Sequence, residues 1–309
     1  MGLLLRKEGI FTSLQDLGRF GRRRFGVPPG GAMDRTAARI TNLLVGNDEA
    51  DAVLEIHFPG PEIVFESDCV FAIGGGDLDA QLNGRPLANW STFVGRKADV
   101  LQFARKRSGS RSYLSAAGGF AIEPAPFAFC TNRLPSATRL EFRAALCNTL
   151  DLSTQAVSNT IRPAYSKFPT VRIIAGAEFA LLHDEDKAAL ESAAFTLTQN
   201  SDRMGFRLQG RALTMAASPE LVSAAVDFGT IQLLPDGQLV VLMADHQVTG
   251  GYPRLGHIIT ADLPLAAQLG PGDGIGFKLV EIGEAERVAA QFEQDLNWLK
   301  TGLRFGRYW

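Results

Sequence analysis

Short apolar runs separated by turn residues dominate the pattern of this chain. They are rich in Val, Ile and Phe, as in LEIHFPGPEIVFES, where Pro-Gly-Pro divides two runs. Asn83-Gly84 and Asp236-Gly237 each lie between two such runs and predict tight hairpin turns. Closely spaced short strands are typical of barrels and sandwiches rather than of β-α-β units. The pattern therefore predicts a mainly β protein, with further strands in CVFAIGG, LDAQLNGRPL, ADVLQFAR, SYLSAAGG, TVRIIAG, FTLT, FRLQG, GTIQLLPDGQLVVLMAD, HIITA and GIGFKLVEI.

Helical periodicity is confined to a few segments. MDRTAARITNLLVGN places its apolar residues on one helical face, with Asp34 as the candidate N-cap and Gly46 at the end. GEAERVAAQFEQDLNWLKTG is amphipathic in the same way. We predict helices at about residues 34–46 and 283–300, and shorter ones in HDEDKAALESAAF and TADLPLAAQLG.

Two domains are expected from the length of 309 residues and from a weak internal echo. ADVLQF (98–103) and GDGIGF (272–277) both follow the pattern Asp-x-aliphatic-x-Phe, which is compatible either with two similar β domains or with coincidence. The weakly periodic, Pro-containing stretch 147–170 separates the two halves. We place the domains at 1–160 and 161–309.

Composition narrows the classes of function. The chain is 46% hydrophobic and 21% charged, with a net charge of -2, which argues against a nucleic-acid partner. No apolar run is long enough to span a membrane, so we expect a cytoplasmic protein. The cysteines, Cys69, Cys130 and Cys147, are widely spaced and predict reduced thiols. The histidines lack the spacing of metal ligands, and standard nucleotide and zinc motifs are absent, so no metal site is predicted.

The segment SLQDLGRFGRRRFGVPPGGAMD (13–34), which we call the opening loop, combines glycines, adjacent prolines and four arginines. Gly and Pro predict irregular backbone, and Arg suits bidentate binding of carboxylate or phosphate. Two interpretations remain open, an anion-binding loop and a solvated surface loop.

A second polar segment follows the apolar run QLVVLMA. Asp245, His246, Gln247 and Thr249 lie at the end of a predicted strand, and Gly250-Gly251 permit close approach of another group to the backbone. The alternatives here are a binding site and a tight structural turn. Earlier in the chain, SDRMGFR (201–207) alternates in the manner of a strand, so we expect Arg203 to be structural or partner-facing at least as often as catalytic.

At these motifs the chain resembles the biotin-dependent carboxyltransferase-like family, which includes the C subunit of the bacterial 5-oxoprolinase, an antagonist of a sporulation kinase inhibitor, and part of urea amidolyase. The matching segments run to about residue 277. They are the opening loop, RITNLLVGN, LEI, SYLSAAGG, SDRMGFRLQG and GTIQLLPDGQLVVLMADHQVTGGYPRLGHIITADLPLAAQLGPGD.

The resemblance implies two β-barrel-like domains, the C-terminal one cyclophilin-like. It also implies a hydrolase that acts with two partners, a kinase-inhibitor-like B subunit and a third, A subunit. Such a complex would open 5-oxoproline to glutamate with ATP, bound with Mg²⁺ and shared with the partner subunits. Two alternatives stay open, a regulatory protein that binds the inhibitor-like partner and a carboxyltransferase of the urea amidolyase type. This chain has no Met-Lys biotin-attachment pair, so biotin would have to come from a partner.

We expect the opening loop and the HQVTGG segment to line one shared cleft. The candidate catalytic residues are Asp245, Gln247, Thr249 and Tyr252. The candidate residues for binding substrate or phosphate are Arg22, Arg24, Gly30, Gly31, Gly250, Gly251 and Arg254.

Two segments depart from the pattern of the family, and the C-terminal tail has two possible interpretations. Segment 120–152 lacks most of the glycines and serines that the family has there, and Ala175-Gly176-Ala177 replaces its Pro-Gly-Pro. The tail WLKTGLRFGRYW (298–309) interleaves aromatic and basic residues. Such a tail either contacts a partner or folds back on its own domain.

Overall fold

The protein is described here by a computed structural model, which covers residues 2–121, 133–143, 155–217 and 221–305. The chain divides into two compact units. The first comprises Met1–Gly18, Asp34–Pro163 and Gln294–Trp309, and the second comprises Arg19–Met33 and Ala164–Glu293. Most of the opening loop groups with the second unit, and the end of the chain groups with the first.

The first unit contains two open sheets. One has the strand order β11-β1-β4-β9-β6-β7 and the other has the order β2-β3-β10-β5-β8. Their inner faces share a core that includes Leu3, Phe65 and Phe71. The strands are β1 (Gly2–Lys7), β2 (Thr12–Gln15), β3 (Val53–His57), β4 (Glu62–Phe65), β5 (Cys69–Asp77), β6 (Ala80–Leu82), β7 (Arg85–Pro86), β8 (Ser91–Gly95), β9 (Val100–Phe103), β10 (Ser108–Ala116) and β11 (Arg139–Glu141).

The second unit is built on a closed barrel with the strand order β12-β19-β16-β17-β14-β13-β20. Its core includes Phe195, Ile231 and Phe277. A separate two-stranded ribbon pairs β15 with β18. The strands are β12 (Thr170–Ala175), β13 (Phe195–Leu197), β14 (Gly205–Gln209), β15 (Ala224–Ala225), β16 (Thr230–Leu233), β17 (Leu239–Leu242), β18 (Thr249–Gly250), β19 (Arg254–Ile258) and β20 (Gly274–Leu279).

The structure confirms a mainly β protein and both predicted hairpins. β16 and β17 pair antiparallel across Asp236-Gly237, where Gly237 has a φ of 81°. β6 and β7 pair across Asn83-Gly84, and both turn residues have positive φ, as the two-residue hairpin requires.

The helices of the described chain are α1 (Arg35–Val45), α2 (Asp184–Ser192), α3 (Leu263–Ala267) and α4 (Ile282–Phe305). Asp34 is the N-cap of α1, because its carboxylate accepts a hydrogen bond from the Ala37 backbone N–H at 2.9 Å. α4 is longer than the predicted 283–300. It continues through Gly302, at a position where glycine weakens a helix without ending it. No helix among the described residues is long and apolar enough to cross a membrane.

The cysteines, the segment 120–152 and the tail lie partly outside the described residues. Cys69 is buried and forms no disulfide within the described residues, whereas Cys130 and Cys147 lie outside them. So does most of the unusual segment 120–152. In the tail, Trp298 is 66% exposed and Lys300 forms an ion pair with Glu49, and the last four residues lie outside the described chain.

Candidate functional site

The end of the opening loop, residues 29–33, packs into the barrel unit. The Gly30 N–H donates to the Ala244 carbonyl at 3.1 Å, and the Arg19 N–H donates to the Pro29 carbonyl at 2.7 Å. Ala32 and Met33 are buried, and Met33 belongs to the barrel core. These contacts fix the loop beside the end of β17, where Asp245 follows.

Arg203 connects this loop to Asp245. Its guanidinium donates two hydrogen bonds to the Asp245 carboxylate, at 2.8 and 3.0 Å, and a third to the Gly31 carbonyl at 2.6 Å. The Asp245 N–H donates in turn to the Arg203 carbonyl at 2.9 Å. Arg203 is only 8% exposed, and these hydrogen bonds all go to groups of the second unit. A bidentate pair of this kind holds the carboxylate in one orientation.

Glycine is required where the opening loop meets Arg203 and Asp245. Gly30 and Gly31 have φ values of 61° and 91°, in the left-handed region that side chains disfavour. A Cβ at Gly30 would also lie 2.7 Å from Arg19 Nη2 and 3.6 Å from Asp245 Oδ1. The two predicted binding glycines therefore shape the surroundings of Asp245.

The middle of the opening loop, residues 20–26, is largely exposed. Residues Arg23–Phe25 form a single 3-10 turn, which we call the arginine turn together with Arg22. Arg22 and Arg24 are exposed, and the Arg24 guanidinium lies 4.8 Å from the centre of the Phe25 ring. Arg23 forms an ion pair with Asp227. The predicted cations at 22 and 24 are thus accessible to an anion from solution.

The HQVTGG segment is part buried and part exposed. His246 is fully buried, and its Nδ1 donates to the Gln247 carbonyl at 2.6 Å, which gives this histidine a structural role. Gln247 is half-buried, Thr249 is exposed and Tyr252 is 45% exposed. The candidate catalytic residues of this segment therefore present polar groups at the protein surface.

Arg254 forms a bidentate pair with Glu178. Its Nε and Nη2 donate to the carboxylate at 3.0 and 2.8 Å, and its backbone N–H adds a bond at 2.8 Å. The hydrogen bonds from the Arg254 side chain lower the pKa of the Glu178 carboxyl. This pairing directs the guanidinium toward a protein carboxylate, so Arg254 is less suited than Arg22 or Arg24 to hold phosphate.

Gln232 is a polar residue of this region that sequence reasoning missed. It lies on β16 and is 1% exposed. A Cβ at Gly250 would lie 2.6 Å from Gln232 Nε2, so the close approach that Gly250 permits is that of the Gln232 amide. By contrast, a Cβ at Gly251 would meet only Ser223 Oγ, at 3.5 Å. The signal in the sequence was a polar residue inside the apolar run TIQLL.

The arrangement provides an oriented carboxylate, exposed cations and surface hydroxyl and amide groups. Asp245 keeps 23% of its side chain exposed, so it can accept a proton or a hydrogen bond from a bound molecule. The exposed guanidinium groups can bind and neutralise an anion. Within the part of the chain that the structure describes, no group of three or more His, Cys, Asp or Glu side chains could hold a metal ion.

The sequence of this chain matches a known family. The family model described as the carboxyltransferase domain, subdomains A and B, matches residues 25–279. The chain belongs to this carboxyltransferase domain family.

Individual relatives match along most of the chain. It is 32% identical to the C subunit of 5-oxoprolinase from Haemophilus influenzae over 94% of both chains. Against the C subunit of 5-oxoprolinase from Escherichia coli it is also 32% identical, over 94% of this chain and 96% of the other. The crystal structure of the Kluyveromyces lactis urea carboxylase superposes with a TM-score of 0.89 at 25% identity. That match covers 98% of this chain and 29% of the larger protein.

Proposed function

We propose that this chain is the C subunit of an ATP-dependent 5-oxoprolinase, a hydrolase that opens 5-oxoproline to L-glutamate. The observation that supports this most directly is the full-length similarity to two proteins that carry the name of this 5-oxoprolinase component. Because the match covers nearly all of both chains, it extends to the opening loop and the HQVTGG segment. An ATP-consuming assembly of this kind is expected in the cytoplasm.

The chemistry explains why ATP is needed. The lactam of 5-oxoproline is an unstrained amide and a poor electrophile, and phosphorylation of its oxygen would make its carbon open to attack by water. Cationic groups stabilise the charge that develops in such a transfer. Arg22 and Arg24 are the exposed cations suited to that role. We assign Mg²⁺ to the phosphates of ATP, where it would be shared with the partner subunits.

Asp245 is the residue we assign to proton transfer in this site. Arg203 fixes its orientation, and its exposed fraction leaves it accessible to substrate. Gln247, Thr249 and Tyr252 would contact the substrate from the same segment. The glycines at 30, 31, 250 and 251 would shape the walls of the site.

The relatives' names also support partner subunits, which we propose to be a kinase-inhibitor-like B subunit and an A subunit. The test is to purify this chain alone and with both partners and to measure glutamate formed from 5-oxoproline with and without ATP. We expect turnover only in the full complex, and an Asp245→Asn complex should assemble while losing at least about 100-fold in rate. Absence of ATP-dependent glutamate formation by the wild-type complex would reject the function.

A carboxyltransferase acting on urea is the second candidate. The structural similarity to urea carboxylase over 98% of this chain favours it. The two functions separate in one assay, in which a carboxybiotin-loaded carrier protein and urea are supplied instead of ATP and 5-oxoproline. Urea-dependent loss of carboxybiotin would favour this alternative.

A further inference from the structure

Gln232 has an unusual environment for a buried side chain. Neither its amide oxygen nor its amide nitrogen has a hydrogen-bond partner among the described residues, although the side chain is 1% exposed. Buried amides are nearly always hydrogen-bonded, because an unmet donor or acceptor is costly away from water. Such a group on a barrel strand is therefore a candidate for contact with a ligand.

The side chain lies outside the barrel core. Its neighbours Ile231 and Leu233 belong to that core, and alternation along β16 turns Gln232 to the outer face. Thr230, two residues earlier, lies on the same face, where its hydroxyl is 3.1 Å from His257 Nδ1. β19 places Arg254 opposite Gln232 in the register. Gln232 thus belongs to a polar outer face next to the HQVTGG segment.

What covers Gln232 is the ribbon of β15 and β18. The amide nitrogen lies against Gly250 of β18, and Val226 approaches the same point. The ribbon pairs Ala224–Ala225 with Thr249–Gly250, is extended by a bond from the Val226 N–H to the Val248 carbonyl at 3.2 Å, and forms a sheet separate from the barrel. Ala225, Thr249 and Gly251 are exposed. Displacement of this ribbon would uncover the amide without breaking any strand pair of the barrel.

The chemistry of the amide defines its complement. A primary carboxamide presents an N–H donor and a carbonyl acceptor along one edge. The matching partner is an amide whose own N–H and C=O lie on one edge, which is the cis arrangement that a small ring imposes on a lactam. Two parallel hydrogen bonds then form, as in a planar amide dimer.

We propose that Gln232 is a specificity-determining residue that pairs with the lactam edge of 5-oxoproline when the ribbon is displaced. Its Nε2–H donates to the lactam oxygen, and its Oε1 accepts from the lactam N–H. This assignment rests on the proposed function, and it names the group that distinguishes the closed ring from its open product. The γ-carboxylate of glutamate can accept from Nε2–H but has no N–H on the same edge to donate to Oε1, so it cannot form the pair.

The test uses the assembled complex and two probes, 5-oxoproline and N-methyl-5-oxoproline, which lacks the lactam N–H. Titration calorimetry measures both dissociation constants for the wild type and for Gln232→Met, a substitution that keeps length and shape. We expect the wild type to prefer 5-oxoproline by about 10-fold or more, since a lost hydrogen bond to a buried group costs this much. In Gln232→Met this preference should disappear.

Controls separate binding from folding. Gln268→Leu changes another buried glutamine of the same unit and should keep the preference for 5-oxoproline. The melting temperature of Gln232→Met should equal or exceed that of the wild type, because the substitution removes polar atoms that the protein leaves unpaired. If Gln232→Met does not fold, Gln232→Leu is used with the same readouts. A variant that melts at lower temperature and still discriminates the two probes would overturn the proposal.

Failure of this proposal differs from failure of the proposed function. If the wild-type complex makes glutamate but Gln232→Met and Gln232→Leu still prefer 5-oxoproline, only the role of Gln232 is rejected. If the complex makes no glutamate but shows a Gln232-dependent preference for the lactam, the function is rejected and the binding residue stands. A wild-type complex that does not distinguish the two probes overturns the role of Gln232 whatever its activity.

Discussion

Arginines that lie close to glycines are buried in the barrel unit at one position and exposed on the arginine turn at others. On the barrel, Arg203 is buried and bound to Asp245 and to Gly31. On the arginine turn, Arg22 and Arg24 are exposed. Both regions combine arginine with glycine, yet one stabilises the fold and the other faces solvent.

The difference teaches that residue type alone does not assign a role to an arginine. A guanidinium that forms a bidentate pair with a carboxylate holds that carboxylate in one orientation, as at Arg203 and Arg254. A guanidinium on an exposed turn stays in water, so it changes the free energy of unfolding little and remains accessible to a ligand. Substitutions in the two regions should therefore differ widely in their effect on the free energy of unfolding.

Arg203→Ala should give the largest loss. It removes both bonds to Asp245 and the bond to the Gly31 carbonyl, and it leaves a carboxylate that is only 23% exposed without its cation. We expect the free energy of unfolding in urea to fall by about 3 kcal/mol, near the lower end for breaking a buried pair. Arg207→Ala is the matched control, because Arg207 is exposed on the adjoining strand. Equal stabilities of the two variants would contradict the structural role of Arg203.

Gly250→Ala should have an intermediate effect. The new Cβ would lie 2.6 Å from Gln232 Nε2, so the amide must move within a buried site. Overpacking of this size costs about 1 kcal/mol or somewhat more. Gly251→Ala, one residue on, meets nothing closer than 3.5 Å and should be nearly neutral. A comparison of the two unfolding curves decides whether Gly250 is required for packing against Gln232.

Local chemistry made part of this structure predictable. The turns at Asn83-Gly84 and Asp236-Gly237 and the Asp34 N-cap follow from residues that are neighbours in the chain. Arg203 and Gly31, in contrast, are 172 positions apart and meet because the opening loop packs against the barrel. No periodicity in a single sequence encodes which carboxylate an arginine will find, which is why the partners of Arg203 and Arg254 were not predicted.

Gln232 shows a second limit of sequence reasoning. A polar residue between Ile231 and Leu233 fits simple alternation, with the polar side turned to water. Its burial depends on the ribbon that packs over it, and the ribbon is formed by segments before and after β16 and β17. The grouping of residues 19–33 with the second unit, and of residues 294–309 with the first, was not predicted for the same reason.

A pH dependence should follow from His257. Burial lowers the pKa of this imidazole below its usual 6.5, and the positive charge of Arg254 acts in the same direction. The unfolded chain then binds more protons than the folded chain between the two pKa values, so stability should decrease as pH falls through this window. His257→Gln should flatten the dependence of the unfolding free energy on pH between roughly 5 and 7. A slope as steep as that of the wild type would show that another group causes it.

The double substitution Arg22→Ala and Arg24→Ala should affect unfolding least. Both side chains are exposed on the arginine turn, and such changes usually alter stability by less than about 0.5 kcal/mol. If these cations bind phosphate, the Michaelis constant for ATP in the assembled complex should rise by about 10-fold, because hydrogen bonds to charged groups are stronger than neutral ones. Arg85→Ala removes an exposed arginine of the first unit and controls for the general loss of charge. If the double variant has a much lower free energy of unfolding than the wild type, the arginine turn stabilises the fold, as the barrel arginines do. A stable variant with an unchanged Michaelis constant would instead place the phosphate-binding cations on one of the partner subunits.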